Sequence, residues 1–179
     1  MEKFHGTAVL SVRRYGAVAL GADGQVTVGD TVLKAGAVKV RELLDGKVLC
    51  GFAGATADAL ALFERLEEKL KAYPRNLPRA AVELAKTWRT DKMLRQLDAL
   101  IAAVDAEHSY VITGAGDVLE PDDGIIALGS GGPYALAAAR VLLKHTELSA
   151  AEICRESLAA SAAIDLYSNG NITVLELSK

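Results

Sequence analysis

The sequence predicts an α+β fold in which two β-sheets form a sandwich flanked by pairs of helices. Strand-like alternation dominates the first quarter of the chain and returns near residues 100–128 and 172–177, with helical periodicity in between. The helical stretches come in two consecutive pairs instead of alternating singly with strands, which disfavours a doubly wound parallel sheet. With 179 residues and no Pro/Gly-rich linker, the chain is expected to form one domain.

The N-terminal quarter is interpreted as sheet. Strands are predicted over residues 7–13 and 15–20, followed by a turn-rich stretch at 21–25. A second pair is predicted over residues 37–44 and 47–52. The Asp-Gly dipeptide between these two strands suits the positive φ angles of a tight hairpin turn.

The first pair of helices follows directly. A helix is predicted over residues 59–70, where apolar residues recur at helical spacing, and it ends before Pro74. Asn76 is suited to cap a second helix, with Pro78 in its first turn and an apolar face that continues to Trp88.

The second half repeats this order of elements. Short strands are predicted over residues 100–104, 110–113, 118–119 and 125–128. A helix over residues 133–144 follows a glycine-rich bend, and a capping box at Ser149 and Glu152 opens a last helix that runs to about residue 163. The last predicted element is a strand over residues 172–177.

Composition excludes several classes of function. The formal net charge is -3, the sequence pI is about 5.6 and no Lys/Arg run occurs, so no nucleic-acid partner is expected. No apolar stretch approaches the roughly 20 residues that cross a bilayer, and the N-terminus lacks a signal-peptide core, so we expect a cytoplasmic protein without a membrane partner. Cys50 and Cys154 lack metal-ligand spacing. A hydrophobic content of 51% leaves apolar area that an oligomer could bury.

Thr7, after Gly6 at the start of the first predicted strand, is a candidate nucleophile. Threonine is also an ordinary strand former, so its residue type alone assigns no chemistry. Cleavage after Gly6 would give Thr7 a free α-amine, with an ordinary pKa of about 7.7–8.0, beside its own hydroxyl. Such an amine can act as general base for that hydroxyl, and no histidine is then required.

Asp23 and Lys39 form a second candidate pair. Asp23 lies in the turn-rich stretch, where it can simply bind its own backbone. Lys39 lies among alternating apolar residues, which places its side chain either in solvent or in a cleft. In a cleft, its ammonium would lower the pKa of the nucleophile and stabilise negative charge, while Asp23 would orient it.

Two glycine-rich bends complete the candidates. Gly51 either serves close backbone packing or supplies an N–H group to an oxyanion hole. The bend at residues 129–133 resembles half of a phosphate-binding loop, so a nucleotide-binding module is an alternative, although Tyr134 stands where the third glycine would be. Ser130 in this bend can instead bind the nucleophile's amine and relay its proton.

Ordered motifs along nearly the whole chain resemble the HslV (ClpQ) family, bacterial relatives of the proteasome β subunit. They comprise residues 6–7, 11–14, 23–25, 31–34, 51–54, 57–58, 81–86, 88–91, 129–135 and 148–149. The resemblance implies an N-terminal-nucleophile hydrolase fold, which is a four-layer αββα sandwich, and the activity of a threonine-type endopeptidase. Residues 1–6 would be a short propeptide removed by self-cleavage, and residues 7–179 a single peptidase domain.

The resemblance also implies roles for particular residues and for partners. Thr7 would be the nucleophile, Lys39 the basic residue, Asp23 the aspartate, Ser130 the serine, and the Gly51 amide the oxyanion donor. The family assembles as a homo-oligomer of two stacked hexameric rings. A hexameric AAA+ ATPase, HslU, caps and activates it and delivers unfolded protein substrates.

A monovalent cation is a further implication of the resemblance. The family binds such an ion, here expected to be Na+, through backbone carbonyls that match Ala162, Asp165 and Ser168, and no cofactor is expected for the chemistry. The chain departs from the usual family residues at Ala8, Ala22, Cys50, Ala162 and Asp165. A catalytically inactive, structural ring subunit is therefore an alternative.

Overall fold

The structure, a computed structural model, describes residues 4–5, 7–54, 56–94, 99–113 and 115–178. The strands are β1 (Phe4–His5), β2 (Val9–Arg14), β3 (Ala17–Ala22), β4 (Val26–Val28), β5 (Thr31–Lys34), β6 (Val40–Leu43), β7 (Val48–Gly54), β8 (Ala99–Val104), β9 (Ser109–Thr113), β10 (Val118–Leu119), β11 (Ile126–Leu128) and β12 (Thr173–Ser178). The helices are α1 (Thr56–Ala72), α2 (Leu77–Thr90), α3 (Gly132–His145) and α4 (Ala150–Ala162).

Two large antiparallel sheets form the centre of the fold. One has the order β11-β2-β3-β12, and the other has the order β10-β9-β8-β7-β6. A small third sheet has the order β1-β4-β5. Its strands β4 and β5 lie in the connection between β3 and β6. Every strand pair in the described residues is antiparallel, which agrees with hairpin connections and with helices inserted as pairs.

Burial divides the chain into four layers. Between the two large sheets lies an apolar core to which β2 and β3 contribute Val9 and Leu20, and β6 and β7 contribute Val40 and Leu49. Helices α1 and α2 pack on the outer face of the five-stranded sheet around the fully buried Trp88. Helices α3 and α4 cover the outer face of the four-stranded sheet. The predicted α+β, four-layer αββα architecture is confirmed.

Local sequence signals explain several element ends. Asn76 accepts a hydrogen bond from the Arg79 amide at the start of α2, and Ser149 and Glu152 form a reciprocal capping box at the start of α4. The β6–β7 hairpin turns at Asp45 and Gly46, both with positive φ. None of the helices in the described ranges is long and apolar enough to cross a membrane.

Two strand predictions need correction. Strands β4 and β5 were not expected, because β5 is exposed along its whole length and so shows no alternation between apolar and polar residues. The strand predicted over residues 37–44 begins only at Val40. The preceding residues 35–39 leave the sheet, and this departure brings Lys39 to the site described below.

Candidate active site

Three polar side chains converge at one end of the sandwich. Thr7 shortly precedes β2, Asp23 directly follows β3, and Lys39 directly precedes β6. Since β2 and β3 are antiparallel neighbours, with Val9 opposite Ala22, the start of one strand and the end of the other share an edge. All three side chains are buried, with Thr7 4%, Asp23 1% and Lys39 3% exposed.

The Asp23 carboxylate is held on both oxygens. Oδ1 accepts hydrogen bonds from the Lys39 Nζ and the Ala8 amide, each at 2.8 Å. Oδ2 accepts from the Gln25 amide at 2.8 Å and from the Asn169 amide at 3.3 Å. A carboxylate with several such donors is stabilised in its charged form and fixed in direction. Asp23 therefore points at Lys39 instead of serving only its own turn.

Lys39 is a buried cation with a buried counter-ion. Burial lowers the pKa of Lys39, and this effect exceeds the opposing attraction of Asp23 and the weaker attraction of Asp165. The Nζ–Oδ1 contact is also an ion pair between side chains that are 3% and 0% exposed. The structure thus places Lys39 in a protein cleft, not in solvent.

The glycine-rich bend packs directly on Thr7. The Gly131 amide donates a hydrogen bond to the Thr7 carbonyl at 3.3 Å. A Cβ atom at Gly129 would lie only 2.0 Å from that carbonyl oxygen, and Gly129 has a φ of +86°. Both the close approach and the left-handed backbone require glycine at this position.

The same contacts argue against a phosphate-binding loop. The Ser161 Oγ donates to the Gly131 carbonyl at 2.7 Å, and a Cβ at Gly131 would lie 2.4 Å from this Oγ. The bend is thus filled by Thr7 on one side and by Ser161 of α4 on the other. The structure gives no support to the nucleotide-binding alternative.

Ser130 belongs to a second polar cluster, centred on Asp165. Asp165 lies in the turn after α4 and is 9% exposed. Its Oδ2 accepts hydrogen bonds from the hydroxyls of Ser130 at 2.9 Å and Ser168 at 2.7 Å. Its Oδ1 accepts a longer bond from the Tyr167 amide at 3.3 Å. From the sequence, only the backbone carbonyls of Asp165 and Ser168 were predicted to act, as cation ligands. The hydrogen bonds of their side chains were not predicted.

The predicted cation ligands lie in that same turn. Ala162 is the last residue of α4, and carbonyls in the last turn of a helix lack intrahelical donors. The Asp165 carbonyl accepts only a long bond of 3.4 Å, from the Ser168 amide. Oxygen donors of this kind fit a hard cation such as Na+. Among the described residues there is no group of three or more His, Cys, Asp or Glu side chains that could hold a metal ion.

The role of Gly51 as oxyanion donor stays a prediction. Gly51 lies inside β7, opposite Val40 on one side and Ala102 on the other. Val40 is the first residue of β6, so Gly51 lies at the end of the β6–β7 pairing, directly beside the point where Lys39 precedes β6. A Cβ at position 51 would lie 3.0 Å from Val9 Cγ1, so this glycine serves the close approach of the two sheets, which was the alternative interpretation.

The end of β7, beyond Gly51, offers further backbone amides near Lys39. β6 pairs with β7 only as far as Gly51, whereas β7 continues along β8 to Gly54. Within the described part of the chain, no strand pairs with the other edge of residues 52–54. This edge begins where Lys39 precedes β6. Gly54 is exposed, has a φ of +133° and stands just before α1.

The N-terminal segment forms part of the described fold in the uncleaved chain. Phe4 and His5 form β1, which pairs with Val28 and Thr27 of β4. Residues 1–3 and Gly6 lie outside the described residues. The boundary predicted between residues 6 and 7 therefore stays a prediction.

Known proteins resemble this chain over nearly its whole length. Residues 3–177 match the proteasome subunit family. A crystal structure of eukaryotic HslV from Trypanosoma brucei has a TM-score of 0.91 and 45% sequence identity, covering 96% of this chain and 99% of that one. Two structures of Thiobacillus denitrificans BPH, one of them in complex with epoxomicin, have TM-scores of 0.76 and 0.75 at 19% and 20% identity. They cover 96% of this chain and 98% and 97% of their own, and they show the fold alone.

Proposed function

Because the chain belongs to the proteasome subunit family as an HslV-like, β-type threonine peptidase, we propose that Thr7 is its nucleophile after removal of residues 1–6. The observation that carries this proposal is the burial of Thr7 together with the Lys39–Asp23 ion pair at one edge of the sandwich. The glycine-rich bend also holds the Thr7 backbone, because the Gly131 amide donates to the Thr7 carbonyl.

Maturation would use the same hydroxyl as peptide cleavage. The Thr7 Oγ attacks the Gly6 carbonyl and displaces the Thr7 nitrogen, which gives an ester and a free amine. Water then hydrolyses the ester and releases residues 1–6. The new α-amine becomes the general base that later cycles require.

Peptide cleavage follows in two steps, acylation of Thr7 and hydrolysis of the acyl-enzyme. The amine takes the proton from the Thr7 Oγ as the oxygen attacks the substrate carbonyl, and this proton passes to the departing nitrogen. Water then hydrolyses the acyl-enzyme ester and regenerates Thr7. The Lys39 ammonium favours the deprotonated amine and stabilises developing negative charge, while Asp23 fixes the position of Lys39.

The oxyanion would form near the end of β7. Amides of residues 52–54 that face away from β8 have no strand partner on the Lys39 side among the described residues. Donors fixed beside a buried cation are suited to a tetrahedral intermediate. We therefore propose the oxyanion donor at this end of β7, between the Gly51 amide that the family resemblance implies and residue 54.

The second polar cluster would relay protons. Ser130 and Ser168 both donate to Asp165, and the bend that carries Ser130 also holds the Thr7 carbonyl. Rotation of the Ser130 hydroxyl toward the freed amine would let it accept or return a proton. Ser130 would then be the proton relay that its position in the sequence suggests.

We also propose the family's assembly for this chain. Exposed apolar side chains near the site, such as Leu166 at 85% and Val38 at 63%, supply area that copies of the chain could bury in two stacked hexameric rings. A hexameric AAA+ ATPase of the HslU type would deliver unfolded cytoplasmic proteins to the enclosed sites. Because folded proteins could not reach the enclosed sites, cleavage with low sequence specificity would not damage them.

An inactive, structural ring subunit receives no support from the site. The Ala8 side chain is fully buried, and its Cβ lies 2.9 Å from the position of a Cβ at Gly131. A residue packed in this way contributes to the core and not to the reaction. The Lys39–Asp23 pair is intact beside Thr7.

Intact mass and a Thr7→Ala variant test the proposed function together. The purified particle is expected to begin at Thr7, and an electrophilic peptide probe is expected to add to that residue. Thr7→Ala should keep residues 1–6, form the same rings and lose all peptide cleavage. Cleavage by this variant, or a wild-type particle that retains residues 1–6 and resists the probe, would exclude Thr7 as nucleophile.

The proposed cation has a separate test. Carbonyl oxygens of Ala162, Asp165 and Ser168 would hold Na+ and thereby fix the turn that carries Asp165. Replacing Na+ by the bulky choline cation at constant ionic strength should lower the melting temperature of the particle. Equal melting temperatures in the two salts would contradict cation binding.

A further inference from the structure

Three chain segments meet beside Thr7. They are residues 23–25 after β3, residues 35–39 before β6, and residues 165–171 after α4. The first segment carries Asp23 and the second carries Lys39. The third carries Asn169, which contacts both of the others and which sequence reasoning did not single out.

Asn169 joins these segments through its backbone and its side chain. Its amide donates to the Asp23 Oδ2, and its Oδ1 accepts from the Gly24 amide, each at 3.3 Å. Its Nδ2 donates to the Ala35 carbonyl at 3.0 Å. Its Oδ1 also accepts from the Asn171 amide at 3.1 Å, which fixes the turn that aims the Asn169 amide at Asp23.

The junction has little free space. A Cβ at Gly24 would lie 2.6 Å from the Ala35 carbonyl oxygen and 3.1 Å from the Asn171 carbonyl oxygen. The Gly24 carbonyl also accepts from the Ala37 amide at 2.8 Å. The three backbones are therefore in direct contact, and a shift in one of them displaces the others.

We propose that Asn169 is a positioning residue that sets where the Lys39 ammonium lies relative to Thr7, an inference that rests on the proposed function. The Asn169 side chain holds the turn that aims its own backbone amide at Asp23, and Asp23 binds Lys39 through its other carboxylate oxygen. The Asn169 Nδ2 fixes Ala35, at the start of the segment that leads to Lys39. Asn169 itself does not contact the reacting atoms.

The expected effect is on turnover. A displacement of about 1 Å in a group that stabilises a transition state can cost about 100-fold in rate. The described hydrogen bonds of the Asn169 side chain go to Gly24, Ala35 and Asn171, within the junction, so substrate binding should change little. We therefore expect Asn169→Ala to lower kcat by about 10- to 100-fold and to leave KM within about twofold.

Asn171 provides a matched control. Its Nδ2 donates to the same Ala35 carbonyl at 2.9 Å, but its side chain makes no described hydrogen bond to the Gly24 amide, which the Asn169 side chain binds. Asn171→Ala removes one side-chain amide, as Asn169→Ala does, and keeps the backbone; Asn171 is exposed and Asn169 is half-buried. We expect both variants to lower the melting temperature by about 2–4 °C, with only Asn169→Ala lowering kcat.

The experiment measures kcat, KM and the rate of probe addition to Thr7 in processed particles, with the same amount of partner ATPase in each assay. A selective loss of kcat and probe reactivity in Asn169→Ala supports the inference. An equal loss in Asn171→Ala, a loss confined to KM, or Asn169→Ala kinetics within about twofold of wild type overturns it. Failure of the wild-type particle to react at Thr7 would instead overturn the proposed function, and the inference with it.

Discussion

The Lys39 Nζ lies 2.8 Å from the Asp23 Oδ1, and both side chains are almost completely shielded from solvent. Two opposite charges buried this closely stabilise each other, but each becomes costly when the other is removed. The pair therefore links catalysis to stability at one place in the fold.

Removal of the buried ammonium should destabilise the chain. Lys39→Met leaves the Asp23 carboxylate with amide donors but no cation, so we expect a loss of about 3 kcal/mol in the free energy of unfolding and loss of peptide cleavage. Lys86→Met is the control, because Lys86 pairs with Glu83 on the surface and is 61% exposed. That change should cost less than about 1 kcal/mol. Denaturant titration of both variants makes the comparison, and equal costs would contradict the burial argument.

A methyl group at position 129 should displace the nucleophile. Gly129→Ala would place its Cβ 2.0 Å from the Thr7 carbonyl oxygen, so we expect cleavage to be abolished and stability to fall by about 3 kcal/mol. Gly16→Ala is the control, because Gly16 has a similar φ of +78° with nothing within 4 Å. It should cost about 1 kcal/mol and leave kcat unchanged. Full activity in Gly129→Ala would refute the contact.

Asp165 should shift the alkaline limit of activity. Burial lowers the pKa of Lys39 below the ordinary 10.5, and the negative charge of Asp165 opposes this effect. If the ammonium is required, activity falls as pH rises through that pKa. Asp165→Asn removes the opposing charge, lowers the pKa of Lys39 further and should move the alkaline limb of kcat to lower pH.

Glu156→Gln is the control for this pH profile, since it makes the same change of net charge on an exposed face of α4. Its alkaline limb should coincide with that of wild type. An upward shift in Asp165→Asn, or the same shift in both variants, would contradict the assigned influence of Asp165 on Lys39.

Neither cysteine should react in the folded chain. Burial raises the pKa of Cys154 to about 12 and that of Cys50 well above its usual range, and both thiols are fully shielded. At pH 8 only about one in 10,000 Cys154 thiols would be ionised. A thiol reagent should therefore modify no cysteine in the native protein and both in denaturant. Rapid modification of the native chain would contradict this burial.

Sequence reasoning captured the fold because its signals were local and repeated. The apolar faces of α1 and α2, the cap at Asn76 and the capping box at Ser149 each follow from residues within one or two turns. The HslV resemblance is confirmed by the family match and by the solved relative at 45% identity. Strand β5 was missed because an exposed strand has no buried face to impose alternation.

The site was only partly predictable. Thr7, Asp23, Lys39 and the bend at Ser130 are brought to one edge, and Gly51 lies in β7 at the end of its pairing with β6. Parity along a strand could not show where β6 stops pairing with β7. Asp165 and Asn169 contact residues more than thirty positions away, and such contacts leave no periodic trace in the sequence.

Strand β1 would give the proposed cut before Thr7 a second consequence. In the uncleaved chain, Phe4 and His5 occupy the outer side of β4, opposite Val28 and Thr27. Their departure would reduce the small sheet to the β4–β5 hairpin and leave main-chain donors and acceptors of β4 vacant close to the new N-terminus. An extended peptide of any sequence can hydrogen-bond to such groups through its backbone. Removal of residues 1–6 would therefore create a strand edge that binds extended chains with little dependence on their side chains.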